Sequence, residues 1–314
     1  MSPRLALLVN PAARGGRALR LLEPVVRRLR MGGAEVSVIA GVDAADALER
    51  ACACVAERPD ALVAFGGDGL VHLAVQAVAG TDVPLGIIPA GTGNDIAHGL
   101  GVPADPMAAA RTVLRMRTRP VDAARAVTGP AGEGPIGEAP AGKSPVGKGA
   151  VEELFAGVLC CGFDARVNER ANRLTWPSGR ARYVRAVLAE LRAFRPVPFR
   201  VTLDGEEVVE RDAVLVAVGN THSYGGGMRV CPGARPDDGL LDVVVVGAVG
   251  VAEFLRVFPG VYRGTHVGHP SVTVRRARHV RLEAPDVPAY ADGERLGTGP
   301  VTCEVLPGVL QVIA

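Results

Sequence analysis

The stretch ALVAFGGDGLVHLAV, Ala61 to Val75, joins an apolar run to a helical one through Gly66, Gly67, Asp68 and Gly69. The unbroken apolar run ALVAF reads as a strand covered on both faces, and the spacing after the turn reads as a helix. Glycines at the junction let the backbone approach a bound anion and aim its N–H groups at it. Asp68 stands where it can orient a magnesium ion, or a water, attached to phosphates, a task for a hard oxygen. A tight turn capped by an aspartate would look the same if it stood alone, so the flanking sequence decides.

Working outward, RLALLV (4–9), an amphipathic stretch (17–31), EVSVIA (35–40), a helical stretch around 44–57 and PLGIIP (84–89) repeat the alternation of strand and helix. This pattern predicts a parallel sheet with helices on both faces. Ligands of such sheets bind beyond the carboxyl ends of the strands. Two more loops fall there. NPAARGG (10–16) offers Arg14 as a fork-shaped phosphate donor. PAGTGND (89–95) offers Thr92 and Asn94 for side-chain hydrogen bonds and Asp95 as a second carboxylate. Glycine-bearing loops after three strands of one sheet predict a phosphate site.

A competing motif is GEAPAGKS, Gly137 to Ser144, which matches the G-x-x-x-x-G-K-[ST] loop of nucleotide hydrolases. A working loop of that kind leaves a strand and opens a helix. Here the preceding residues are GPAGEGPI, and Pro145 pushes Ser144 out of helical geometry. The tract TGPAGEGPIGEAPAGKSPVGKG (128–149) has no hydrophobic period and reads as a flexible insertion in which the match arises from composition. The expected organisation is therefore an α/β nucleotide-binding domain over 1–122, the insertion over 128–149 and a β-rich substrate domain over 150–314. The last domain is read from ELFAGVLC, FRVTLDGEEVVE, DAVLVAVG, LLDVVVVG, SVTVRRARHVRLEA and VTCEVLPGVLQVI, with hairpins turning at Asp-Gly in LDGEEV and YADGERLG and one clear helix near 179–195.

The chain has 314 residues, 48% hydrophobic and 22% charged, with a formal net charge of +2. These values suit about two globular domains and give no general attraction for nucleic acid. Its six cysteines form no C-x-x-C pair and read as reduced thiols of a cytoplasmic protein. The N-terminal apolar run is too short for a secretion signal, and the longest apolar stretch is broken by Asp242, Glu253 and Arg256.

NPAARGG, GGDG and PAGTGND, in this order and spacing, resemble the catalytic domain of diacylglycerol kinases and of the related bacterial lipid, sphingosine and ceramide kinases. YGGGMRVCPGARPDDGLLDVVVV (224–246), GTHVGHPSV (264–272) and YADGE (290–294) extend the resemblance into the second half. It implies a Rossmann-like α/β domain of the NAD kinase/diacylglycerol kinase type and a β-rich, sandwich-like C-terminal domain whose last strands can return to the first. It also implies an ATP- and Mg²⁺-dependent lipid kinase, with diacylglycerol the first substrate to consider. NAD kinases share GGDG, so an NAD kinase, a kinase of sphingoid or other lipids, and a non-catalytic nucleotide- or lipid-binding homologue are the rival readings.

Carried over by motif, Asp292 of the Asp-Gly-Glu tripeptide corresponds to the proposed catalytic base. The nucleotide contacts correspond to Asn10, Pro11, Ala12, Ala13 and Arg14, to Gly66, Gly67, Asp68, Gly69, Leu70, Val71 and His72, and to Thr92. Asn94, Asp95 and Glu294 are grouped with them. Gly41, at the end of the second strand, stands where the family usually has Thr. ARPDDGLLD resembles the structural magnesium loop, with the Asp238 carboxylate and the carbonyls of Arg235 and Leu240 as its ligands. The family commonly reads G-G-D-G-T-x-N-E, whereas Leu70, His72 and Leu73 stand in this chain. Leu70 and His72 have parallels among sphingosine kinases; Leu73 removes a carboxylate. The same tripeptide at Asp204-Gly205-Glu206 lies in an ordinary hairpin pattern with no family motif around it.

Residues 178–200 place apolar side chains at 183, 184, 187, 188, 191 and 194, and arginines elsewhere. Such a helix can lie on an anionic membrane, which gives the expectation of peripheral, salt-sensitive contact with the surface that holds the lipid. An exposed β-edge in the second domain could pair with another copy to make a homodimer.

Overall fold

A computed structural model describes residues 2–10, 17–129, 151–174, 176 and 180–314. The Gly137–Ser144 motif and most of the first loop, Pro11 to Gly16, lie outside the described residues.

The first half alternates as its periodicity requires: β1 (Arg4–Val9), α1 (Arg17–Met31), β2 (Glu35–Ala40), α2 (Ala44–Ala56), β3 (Ala61–Gly66), α3 (Asp68–Val78), β4 (Leu85–Pro89), α4 (Asp95–Gly99) and α5 (Pro106–Leu114). Strands β3 and β4 are buried at every residue, as parallel strands with both faces covered must be. β1 lies parallel between β2 and β3, and β3 continues parallel to β4. Helices start where side chains can take up orphan N–H groups. Asp43 accepts from Asp46 N at 2.9 Å, and Asp105 accepts from Ala108 N at 2.7 Å with Pro106 in the first turn.

The remaining elements are β5 (Thr118–Thr128), β6 (Val151–Phe155), β7 (Val158–Gly162), α6 (Phe163–Arg173), α7 (Arg180–Arg192), β8 (Val197–Leu203), β9 (Glu207–Gly219), β10 (Leu241–Gly247), α8 (Val251–Val257), β11 (Val272–Ala277), β12 (His279–Glu283), β13 (Pro288–Ala291), β14 (Glu294–Thr298) and β15 (Val301–Ile313). All pairings in this half are antiparallel. Its core is a separate apolar cluster that includes Phe155, Leu159, Val216, Val243, Leu282 and Val301. SVTVRRARHVRLEA divides into two strands at Arg278: β11 pairs with β10, while β12 pairs with β8 and β15.

Among the described residues, strand pairing joins the halves through one ribbon. β15 runs antiparallel to β5 from Thr128↔Val301 to Thr118↔Ile313, and its end lies parallel to β4 at Val312↔Leu85. Residue 122, where the sequence changes texture, falls inside β5, so the backbone ladder continues across it. The ribbon's register shifts between Leu306 and Leu310, and there Asp122 accepts from Gly308 N at 2.8 Å and from Gly239 N at 2.7 Å. This shift marks where the strand pair leaves one core for the other.

Candidate functional site

The carboxyl ends of β1, β2, β3 and β4, at Asn10, Gly41, Gly66 and Pro89, share one edge of the parallel sheet. Gly41 packs so closely on the backbone of Ala47 that no side chain fits, so it can offer only main-chain groups. Gly67 and Gly91 lie backbone against backbone, and a Cβ on Gly91 would sit inside the main chain of Gly67. Asp68 ties these two loops together: its Oδ2 accepts from Asn94 N at 2.8 Å and its Oδ1 from Ile96 N at 3.0 Å.

Several side chains expected to touch a nucleotide are used otherwise. Asn94, in the left-handed region at φ 60°, closes on its own loop: Gly91 N donates to its Oδ1 at 2.9 Å and its Nδ2 donates to Gly91 O at 3.1 Å. Asp95 reaches the second half, accepting from Gly226 N and Gly227 N, each at 2.7 Å. Leu70 and Val71 belong to the apolar core, so only their backbone can face a ligand. Thr92 is exposed at the loop tip. Pro11, Ala12, Ala13 and Arg14 lie outside the described residues.

Helix α3 turns a second face to the C-terminal half. Positions 69, 72 and 76 share one side of the helix, as spacings of three and four require. Gly69 packs on Glu294: a Cβ there would stand 3.2 Å from Glu294 Oε1. Gln76 completes strand β6, donating from Nε2 to Leu154 O at 2.6 Å and accepting at Oε1 from Leu154 N at 3.0 Å. Between them, His72 is 2% exposed, with Nδ1 3.3 Å from Asp292 Oδ2 and Nε2 2.8 Å from Glu153 Oε2. Asp292 also accepts from Ala156 N at 3.0 Å and Gly157 N at 2.9 Å. Its position is fixed by the turn between β13 and β14, where Asp292 and Gly293 both take positive φ, 52° and 91°. Glu153 and Gln76 were missed in the sequence. The available signal was the recurrence of polar residues at 72 and 76 along an otherwise apolar helix.

The site is dense in negative charge. Burial pushes the Asp68 carboxyl up to about 6, with the carboxylates of Asp95 and Asp292 adding to the rise. Burial alone would lower His72, but its bonds to Asp292 and Glu153 raise it to about 10. Among the described residues no three His, Cys, Asp or Glu side chains converge on a metal position.

The expected magnesium loop is arranged differently. Asp238 Oδ2 is paired with the Arg276 guanidinium, and its Oδ1 accepts from Leu240 N at 3.1 Å. Arg276 also donates from Nε to Asp242 at 3.0 Å. Each oxygen of the Asp238 carboxylate accepts one bond, so an ion held by Asp238 and the carbonyls of Arg235 and Leu240 would compete with Arg276 for that carboxylate. EDTA is expected to leave the melting temperature unchanged. Arg276→Gln, which strands the buried Asp242, is expected to cost about 1–3 kcal/mol. A melting temperature that falls on chelation would restore the ion.

Helix α7 also departs from its expected face. Ala186 is buried and Val187 and Leu191 half-buried, but Leu188 is 57% exposed. Nearby, α8 and the 3₁₀ segment Phe258–Arg263 contain no buried residue although their sequence is VAEFLRVFPGVYR. Phe163, Phe194, Phe254 and Phe258 stack in a chain with centroids 5.0–5.6 Å apart, and Leu255 and Tyr262 are each 50% exposed. No helix among the described residues is long and apolar enough to cross a membrane.

Comparison with known proteins matches two family models to the two halves. Residues 4–126 match the diacylglycerol kinase catalytic domain, and residues 157–314 match the YegS C-terminal NAD kinase beta sandwich-like domain. A diacylglycerol kinase of Mycobacterium tuberculosis is 40% identical over 311 residues, covering 99% of this chain and 94% of that protein. A diacylglycerol kinase of Bacillus subtilis is 28% identical, covering 95% of this chain and 91% of that one. The crystal structure of a diacylglycerol kinase from Bacillus anthracis superposes with a TM-score of 0.71 at 25% identity, covering 99% and 96% of the two chains. An NAD kinase from Archaeoglobus fulgidus in complex with ATP shares the fold, with a TM-score of 0.52 at 14% identity and coverage of 99% and 93%.

Proposed function

This chain belongs to the diacylglycerol kinase family, and from that premise we propose that it transfers the γ-phosphate of ATP to the hydroxyl of a lipid, diacylglycerol first among the candidates. The observation that carries the reading is the meeting of Asp292, from the far end of the chain, with the helix that opens at Gly66–Gly69. Phosphates at the head of α3 would face its first N–H groups and the positive end of its dipole. A magnesium ion bound with the nucleotide would neutralise the phosphoryl oxygens, and Asp68, held between two loops, would be the carboxylate to orient it or its water.

Asp292 is the base in this reading. It accepts the hydroxyl proton as the lipid oxygen bonds to phosphorus and the bond to the departing ADP breaks. Its side chain is fully buried against His72 and the 156–157 backbone. Incubation with labelled ATP, magnesium, NAD and a total lipid extract, with mass identification of the product, tests the reading. Label in a lipid phosphate supports it; label in NADP alone, or none, overturns it.

The lipid implies a membrane surface, and the partly exposed ridge of α8 and 258–263, with Leu255 and Tyr262 outermost, supports a peripheral contact there, together with the exposed Arg192, Arg195, Arg256 and Arg263. Sedimentation with anionic vesicles is expected at low salt, reduced by raised salt and by Leu255→Asp. Absence of sedimentation at low salt would remove the contact.

A further inference from the structure

His72 is pressed between two carboxylates, and this determines its protonation. Nδ1 faces Asp292 Oδ2 at 3.3 Å and Nε2 faces Glu153 Oε2 at 2.8 Å. Ionised carboxylates only accept hydrogen bonds, so both ring nitrogens must donate and the ring is an imidazolium. Among the described residues, the elements packed around it supply no opposing cation. Asp292 comes from the β13–β14 turn and Glu153 from β6. Asp68 at the head of the same helix, Asp95 of α4 behind it and Glu294 beside Gly69 are carboxylates too. The raised proton affinity of the ring agrees with this geometry.

We propose that His72 and Glu153 are positioning residues for Asp292: Glu153 keeps the ring doubly protonated, and the ring holds the Asp292 carboxylate in its working orientation. The proposal rests on the reading of Asp292 as the base. The two backbone donors fix the carboxylate from the 156–157 side only, and His72 provides the third contact, from the opposite domain. Glu153 is 31% exposed at its side chain and touches the base only through the ring. Leu73, the neighbour on α3, packs against the N-terminal core and supplies no charge. The carboxylate that balances the imidazolium therefore comes from another domain.

Glu153→Gln separates charge from shape. Its amide can donate to Nε2, leaving the ring neutral with its proton on Nδ1, so the hydrogen-bonded chain survives while the charge is lost. Nitrogen-15 NMR of labelled histidine rings, with the His72 signal identified by its absence in His72→Gln, is expected to show a ring that stays charged well above neutral pH in the unaltered protein. In Glu153→Gln its proton affinity is expected to fall by about two pH units, toward that of ordinary imidazole. With diacylglycerol, kcat of Glu153→Gln is expected to fall about tenfold on the alkaline side of that new titration, with KM for MgATP unchanged. A His72 ring that titrates at the ordinary value, or one unmoved by Glu153→Gln, overturns the pair. So does a shifted ring with an unaltered kcat profile. Ring titration needs no substrate, so a failure of lipid phosphorylation would sink the functional reading and leave this measurement to decide the pair by itself.

Discussion

Asp292→Asn is expected to lower lipid phosphorylation by about 10²–10⁴-fold, the range that a positioned base contributes, with MgATP affinity unchanged. The substitution keeps size and lets one oxygen accept from Gly157 N, but its amide then faces both the Ala156 N–H and the charged ring of His72, which meet at the other oxygen. A donor set against a donor costs about 1–3 kcal/mol, so some loss of stability accompanies the loss of rate. The control lies in the same chain. Asp204 begins an identical tripeptide in the same turn geometry, with φ 50° followed by 77° at Gly205, and its carboxylate also accepts two backbone N–H groups, of Arg278 and His279. Asp204→Asn, whose amide oxygen can accept both N–H groups as Oδ1 does, is expected to leave fold and kcat intact. Equal kcat losses in the two variants would mean that Asp292 is only a hairpin bracket.

The second large effect is at Gly91. Its φ is ordinary, so conformational freedom is not what requires glycine there. The requirement is contact, because a methyl group would enter the backbone of Gly67 and crowd Asn94 Oδ1. Neither neighbour is a flexible side-chain end that could swing away. Gly91→Ala is expected to push the two glycine loops apart at a cost of about 1–3 kcal/mol, as overpacking does, and to abolish measurable nucleotide binding by calorimetry. Gly101→Ala serves as the comparison: its φ of 73° strains a side chain but no atom lies near its Cβ, so it should lose stability and keep the nucleotide. Full nucleotide affinity in Gly91→Ala would show that the loops do not act as one surface.

Much of the first half was legible because its signals are local. Apolar runs buried on both faces, glycine turns and capping aspartates act within a few residues, so β3, its turn and α3 could be read in order. The Asp-Gly hairpins were legible for the same reason. What could not be read was the use made of polar side chains. Asn94 and Asp95 look like ligand groups in sequence, yet one closes its own loop and the other clamps a glycine turn more than a hundred residues away. Asp238 looks like an unpaired carboxylate until Arg276 is placed beside it. The arginine belongs to β11, and only the pairing of β11 with β10 brings it near.

By itself the sequence determined the alternation of strands and helices, the turns, and the edge of the parallel sheet at which phosphates would gather, because backbone sterics and side-chain period act over short spans. Only the tertiary structure decided that His72 stands between Glu153, 81 positions away, and Asp292, 220 positions away. Which charges share a buried space depends on strand pairing and on how two cores are joined, and here one long ribbon, β5 with β15, sets both.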